Sequence, residues 1–153
     1  MGPKFILLAD ANKIAYIEIA PNGTYKIKEQ TNGTLAHTNH YLEPDLQWAN
    51  VKIGDSSRIR YTRIEELLTS GHKPYTLQDF IAFSQDQHDG PDCSIWRIGS
   101  TPQKTQTLAA LAVYIPKNKG PRLYIKIRTA PDEQGKEKIY TMSADQLFPK
   151  KNL

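Results

Sequence analysis

The chain has 153 residues, of which 39% are hydrophobic and 24% are charged. This length is typical of one domain and short for two, so we expect a single domain over residues 1–153. No apolar run approaches the ~20 residues that a membrane-spanning helix requires, which predicts a protein without a membrane partner. The first residues, "MGPKFILLAD", lack the apolar region and cleavage site of a secretory signal, so we expect a cytoplasmic protein.

The charge and the cysteine content exclude several kinds of function. The net charge of +4 comes largely from lysines and arginines in short segments that resemble turns and a tail, 116–122, 135–138 and 149–153. No recognition-helix pattern or aromatic RNA-binding motif accompanies them, so no nucleic-acid partner is expected. The single cysteine, Cys93, excludes an internal disulfide and a zinc site built from several cysteines.

The first forty residues are predicted to form a meander of four strands. In residues 13–20 apolar and polar side chains alternate, as in a half-buried strand. Asn-Gly pairs at 22–23 and 32–33 favour hairpin turns, because both residues accept positive φ at low cost. Each pair also begins an Asn-Gly-Thr glycosylation sequon, but without a secretory signal we prefer the interpretation as turns. The four predicted strands are residues 4–10, 13–20, 24–30 and 34–40.

Two helices are predicted after a loop. The first covers 55–71, with Asp55 or Ser56 as the N-cap, Gly71 as the stop, and a buried stripe formed by Ile59, Ile64, Leu67 and Leu68. The second covers 76–86 and is capped by Thr76. Its apolar side chains are expected to be buried, namely Leu77, Phe80, Ile81 and Phe83.

The remaining chain is predicted to be mostly strand. The predicted strands are 93–99, 106–116, 122–130 and 137–143, followed by a helical turn at 144–148. The resulting order, four strands, two helices and four strands, indicates an α+β fold in which antiparallel sheets pack against a helical pair.

Few residues suggest chemistry without further information. Cys93 has His88 five residues before it, but catalytic partners are normally distant in the chain, and a lone cysteine is more often a small buried apolar residue. A cysteine hydrolase using these two residues is therefore only an alternative. His37 and His40 would point to opposite faces of a strand, so no metal site is expected. Neither a glycine-rich phosphate loop nor a Gly-x-Ser-x-Gly elbow is present.

Several short motifs occur in an order that resembles a known family. The motifs are Asp10, Ile17-Glu18, Pro21-x-Gly23, Thr38-Asn39-His40-Tyr41-Leu42-x-Pro44-x-Leu46, Ser56-Ser57-Arg58, Glu65 to Leu68, and Ser94-Ile95-Trp96-Arg97. Together they resemble the penicillin acyltransferase-like branch of the N-terminal-nucleophile hydrolases, which is related to choloylglycine hydrolases and other linear-amide C–N hydrolases. The resemblance covers nearly the whole chain.

The resemblance implies a half-enzyme. Members of this family form a four-layer αββα sandwich and use a cysteine that becomes the first residue after self-cleavage. The present sequence enters the family pattern about halfway and resembles the C-terminal half. The implied activity is cleavage of linear amides, or acyl transfer, through an N-terminal cysteine that this chain lacks, so the chain alone is expected to be inactive. The implied partners are the missing half or a second copy, and a small amide or acyl substrate; no cofactor is implied.

The resemblance also implies site residues. Asn39 would orient the amine of the nucleophile or stabilise an oxyanion, Arg58 and Arg97 would line the site, and His40 and Tyr41 would shape the substrate pocket. From the residues alone, a turn asparagine that closes a strand is the preferred interpretation of Asn39. Arg58 could be a solvated residue of a first helical turn, although the helix dipole makes this a poor place for a cation. A non-catalytic α+β binding module therefore remains an alternative. The substrate, and the choice between hydrolysis and acyl transfer, stay open.

Overall fold

A computed structural model describes residues 4–129 and 136–147. The chain forms two units, Met1–Leu68 and Thr69–Leu153, and each contains a three-stranded antiparallel sheet. Helices precede or follow each sheet in the chain, so the α+β prediction is confirmed. Within the described ranges, no helix combines the length and the apolar character needed to cross a bilayer.

The sheet of the first unit is the predicted meander. Its strands are β1 (Lys4–Ala9), β2 (Ile14–Ile19) and β3 (Tyr25–Gln30), in the order β1-β2-β3. Gly23 has a φ of +88°, and the Asn22 side chain accepts a hydrogen bond from the Thr24 amide at 3.0 Å. This geometry agrees with the interpretation of the Asn-Gly pair as a turn.

The predicted fourth strand at 34–40 is wrong, because this segment has no strand assignment. Its polar groups bind side chains elsewhere in the unit instead of a neighbouring strand; the Asn39 amide, for example, donates to Ser57 Oγ. A 3₁₀ helix, Pro44–Ala49, follows where a loop was predicted. It contributes Leu46 to a core formed with Ala20 and Tyr41.

Helix α1 spans Asp55–Ser70, close to the predicted bounds. The amides of Ser57 and Arg58 donate to the Gly54 carbonyl, so Gly54 is the N-cap and the predicted caps, Asp55 and Ser56, lie in the first turn of the helix. Within the predicted stripe Leu68 is buried, and the other members, Ile59, Ile64 and Leu67, are half-buried.

Helix α2 spans Leu77–Ser84 and has the predicted cap. The Thr76 hydroxyl accepts from the Asp79 amide at 3.4 Å, and the Asp79 carboxylate accepts from the Thr76 amide at 2.6 Å, which together form a capping box. The predicted burial of Phe80 is wrong, because this side chain is 45% exposed. The other predicted apolar residues, Leu77, Ile81 and Phe83, are half-buried.

The second unit contains the sheet β4 (Ala109–Tyr114), β5 (Arg122–Arg128) and β6 (Glu137–Ser143), followed by the short helix α4 (Ala144–Leu147). The last three predicted strands and the final helical turn are thus confirmed, apart from residues 130 and 148, which lie outside the described ranges.

The predicted strand at 93–99 is wrong. A short helical turn, α3 (Gly90–Cys93), occupies its start. The amides of Ile98 and Gly99 then donate to the Pro91 carbonyl, and the Trp96 amide donates to the Asp86 carbonyl. These local and loop hydrogen bonds use the groups that a sheet ladder would need. Trp96 is only 1% exposed, so the segment is held by burial instead of strand pairing.

Candidate active site

The segment that follows the first sheet is anchored to β2 by Glu18. This carboxylate is 0% exposed and accepts hydrogen bonds from His37 Nε2 at 2.7 Å and from the Leu42 amide at 2.7 Å. Its second oxygen accepts from the Glu43 amide at 3.2 Å. Three donors thus compensate the loss of hydration of a buried carboxylate. They also fix the chain on both sides of Asn39.

Both ring nitrogens of His37 have hydrogen-bond partners. Nδ1 lies 2.6 Å from the Thr38 carbonyl oxygen and Nε2 lies 2.7 Å from the Glu18 carboxyl group. The Thr38 carbonyl can only accept, so Nδ1 donates to it, and Nε2 shares a hydrogen bond with Glu18. The ring packs 4.6 Å from the Phe5 ring and 5.0 Å from the Tyr16 ring. His37 is therefore a buried hydrogen-bond partner of Glu18.

Ser57, at the start of α1, holds the Thr38-Asn39-His40 motif. Its hydroxyl oxygen accepts from the Asn39 amide at 2.9 Å and lies 2.9 Å from His40 Nδ1, and its carbonyl accepts from the Thr38 hydroxyl at 3.0 Å. Ser57 is 6% exposed. Two motifs that are separate in the sequence thus form one hydrogen-bonded structure.

The Asn39 side chain is exposed, and its oxygen is bound by Arg60. Arg60 Nη2 donates to Asn39 Oδ1 at 2.8 Å, and Arg60 Nε donates to the Ser56 carbonyl at 3.1 Å. Sequence reasoning did not identify Arg60. The available signal was its spacing of three residues from Ser57, which places both residues on the same face of a helix.

Asn39 lies in an open groove beside the edge strand β1. The groove has a volume of about 630 Å³ and is lined by Lys4, Phe5, Ile6, Leu7, His37, Thr38, Asn39 and Arg60. The lining includes two exposed or half-buried cations, Lys4 and Arg60, and no carboxylate. The two cations would attract the partial negative charge on the carbonyl oxygen of an acyl group.

His40 and Tyr41 follow Asn39 but are not among the residues that line the groove. Burial lowers the pKa of His40, and the positive charges of His37 and Arg58 lower it further. Its Nδ1 can then accept a hydrogen bond from the Ser57 hydroxyl. Tyr41 is buried in the core, where its hydroxyl donates to the Ile19 carbonyl at 3.0 Å. Burial raises the pKa of Tyr41.

The two predicted arginines lie in different units. Arg58 is exposed on α1, one residue beyond Ser57, while the Asn39 oxygen is bound by Arg60. Arg97 belongs to the second unit, where its amide donates to the Thr107 hydroxyl at 3.0 Å. Its Nε is buried and has no hydrogen-bond partner within the described residues. The structure therefore groups Asn39 with His40 and Arg60 but does not test the role predicted for Arg58 or Arg97.

The alternative pair, Cys93 and His88, shows no contact in the described part of the chain. His88 is mostly exposed and its Nδ1 lies 3.7 Å from an Asp89 oxygen. Cys93 is a half-buried free thiol at the end of α3. Across residues 4–129 and 136–147, no group of three or more histidine, cysteine, aspartate or glutamate side chains could hold a metal ion.

Comparison with known proteins identifies the family. No curated protein matches the chain. The sequence profile of the family described as acyl-coenzyme A:6-aminopenicillanic acid acyl-transferase matches residues 1–128. This match covers most of the chain, including strands β1 to β5 and the Thr38-Asn39-His40 motif. The chain therefore belongs to the acyl-coenzyme A:6-aminopenicillanic acid acyl-transferase family.

Proposed function

We propose that the chain is the C-terminal half of an amidohydrolase or acyltransferase that cleaves linear amides, or transfers acyl groups, through an N-terminal cysteine outside this chain. Membership of the family indicates acyl-transfer chemistry. The main observation behind the proposal is that Asn39 is held in place at the groove. Its amide and its side-chain oxygen are both bound by α1, while the side chain remains exposed.

The proposed reaction uses Asn39 as an oxyanion donor. The cysteine thiolate attacks the acyl carbonyl, and the carbonyl electron pair moves to oxygen to form a tetrahedral intermediate. Asn39 Nδ2 donates a hydrogen bond to this oxygen. The intermediate collapses and the carbon–nitrogen or carbon–sulfur bond breaks. The α-amine of the cysteine, which took up the thiol proton, passes it to the leaving amine or thiol. Water or an amine then attacks the carbonyl of the acyl-cysteine, the carbon–sulfur bond of this thioester breaks, and the cysteine thiol is regenerated. A pre-aimed donor of this kind lowers the barrier by ~3 kcal/mol.

The other residues have supporting roles in this proposal. Arg58 and Arg97 would bind a substrate carboxylate or adjust the proton affinity of the nucleophile's amine, as the resemblance implies. His40, neutral because its pKa is lowered, supports Ser57 and hence Asn39. Tyr41 packs beneath the site and keeps the segment on β2.

The proposed partner is the missing half or, failing that, a second copy. Strands β1 and β3 lie at the edges of the first sheet, and edge strands present unpaired backbone groups. Apolar side chains along β1 are exposed, Ile6 at 41%, Leu7 at 63% and Leu8 at 52%. Such a surface favours association in which a strand of the partner pairs with β1 or β3.

The test begins with the coding DNA immediately upstream of the chain. We expect an in-frame segment that carries a cysteine followed by an arginine and an aspartate. The protein that includes it should hydrolyse or transfer acyl groups from a panel of amides and thioesters. Asn39→Ala should lower kcat by about 100-fold. Asn12→Ala, which removes an exposed side chain in the β1–β2 turn, should have no effect.

Two outcomes would contradict the proposal. If no such segment precedes the chain and the chain is a folded monomer by sedimentation, it is a stand-alone binding module. If a thiol-reactive amide probe labels the isolated chain and Cys93→Ala abolishes labelling, the cysteine hydrolase alternative is correct.

A further inference from the structure

The Asn39 carboxamide is fixed from its oxygen side. Arg60 Nη2 donates to Oδ1 at 2.8 Å, and a charge-assisted hydrogen bond of this length is roughly twice as strong as a neutral one. With the oxygen occupied by a cation, the Nδ2 group must point away from Arg60. No acceptor within the described residues contacts Nδ2, so its protons remain available to a ligand.

Arg60 is itself held in place. Its Nε donates to the Ser56 carbonyl at 3.1 Å and lies 3.4 Å from the Ser56 hydroxyl. Three residues before Arg60, Ser57 binds the Asn39 amide from the same helix face. Two points of one rigid helix thus fix both the backbone and the side chain of Asn39. A donor fixed in this way needs no reorganisation when charge develops on the substrate.

The cation also changes the strength of the donor. Hydrogen bonds in a chain polarise one another, so a guanidinium on Oδ1 draws electron density from the amide and strengthens donation by Nδ2. Asn39 and Arg60 both line the groove, together with Lys4 and without any carboxylate. Negative charge in the groove would therefore meet a favourable field.

We propose that Arg60 is a positioning residue that turns the Asn39 carboxamide so that Nδ2 faces the groove and donates to the oxygen of an acyl substrate. One part of the proposal, that the acceptor is an acyl oxygen, rests on the function proposed above. The orientation of the carboxamide is independent of that function and can be measured on the chain itself.

The first measurement is nuclear magnetic resonance of the ¹⁵N-labelled full chain. In Arg60→Met, the Asn39 side-chain amide resonances should shift and its two protons should exchange positions faster, because the carbon–nitrogen bond loses double-bond character. Arg60→Lys, which keeps a cationic donor, should restore part of the shift. Arg63→Met, on the same helix and in an ion pair with Glu66, is the matched control and should leave these resonances unchanged.

The second measurement is a double-mutant cycle in the protein that carries the nucleophilic cysteine. Arg60→Met should lower kcat by about 10- to 100-fold with little change in KM, as expected for a misplaced group. In the Asn39→Ala background, Arg60→Met should cause no further loss. An equal loss in both backgrounds, or unchanged Asn39 amide resonances in Arg60→Met, overturns the proposal. If the unaltered protein has no activity, the proposed function fails and the resonance measurement alone decides the role of Arg60.

Discussion

Glu18 Oε1 and His37 Nε2 lie 2.7 Å apart in a buried hydrogen-bonded pair, and their side chains are 0% and 3% exposed. Glu18 lies on the central strand of the first sheet and His37 immediately precedes the Thr38-Asn39-His40 motif. The candidate site is therefore attached to the most protected strand of its unit. Because the pair is buried, removing one partner leaves an uncompensated charge.

Glu18→Gln should destabilise the chain by about 3 kcal/mol. The new amide nitrogen cannot accept a hydrogen bond from the backbone amide that it faces, Leu42 or Glu43, and the contact with His37 Nε2 loses its charged partner. Urea unfolding at pH 7 measures the effect. Glu29→Gln, which removes only an exposed ion pair with Lys13, should change the free energy of unfolding by less than about 1 kcal/mol. Equal effects of the two substitutions would show that the buried pair does not stabilise the unit.

Tyr16→Phe should destabilise the chain by about 1.5 kcal/mol. The Tyr16 hydroxyl donates to Glu43 Oε1 at 2.6 Å, and the pKa of Tyr16 is raised first by burial and then by this carboxylate. The change removes a hydrogen bond to a charged acceptor without altering the ring. Chemical denaturation provides the measurement, and Tyr25→Phe, at a side chain that is 61% exposed, is the control. A destabilisation equal to that of the control would contradict the importance of this bond.

The stability of the chain should decrease as the pH falls below 6.5, in part because of His40. Its pKa in the folded state is lowered from 6.5 by burial, so between the two values the unfolded state binds more protons and stability rises with pH. His40→Gln should make this part of the pH profile less steep. Urea unfolding between pH 5 and about pH 7.5 tests the slope. A titration of the His40 ring signals that gives a value above 6.5 would refute the prediction.

Thr76→Ala should destabilise α2 by about 1 kcal/mol. The substitution removes both the acceptor for the Asp79 amide and the hydroxyl that donates to the Asp79 carboxylate at 2.7 Å. Thermal unfolding of the full chain, read by circular dichroism, measures the loss. Thr105→Ala, at an exposed loop position, should leave the transition unchanged. A stability of Thr76→Ala equal to that of the control would mean that the capping box contributes nothing.

For the candidate site, the sequence identified the residues of the motif but not the contacts between them. Asn39 and the Ser56-Ser57-Arg58 segment were singled out, and the structure joins them through Ser57. The Asn39 oxygen is bound by Arg60, which the sequence did not single out, and not by Arg58, for which this contact was not predicted. The choice between two arginines two residues apart depends on the rotation of α1 about its axis. That rotation is set by packing, which a linear motif does not contain.

The sequence by itself determined the elements whose hydrogen bonds are local. The β1–β2–β3 meander follows from alternation and Asn-Gly turns, and α2 follows from its capping box and apolar spacing. Only the tertiary structure decided that residues 34–40 leave the sheet, because their polar groups bind Glu18 and Ser57, which lie 17 or more residues away. Local periodicity describes what a segment can do with its neighbours in the chain. Here a buried carboxylate and the start of a helix supply better partners for the polar groups of the segment. These contacts override the local preference for a strand.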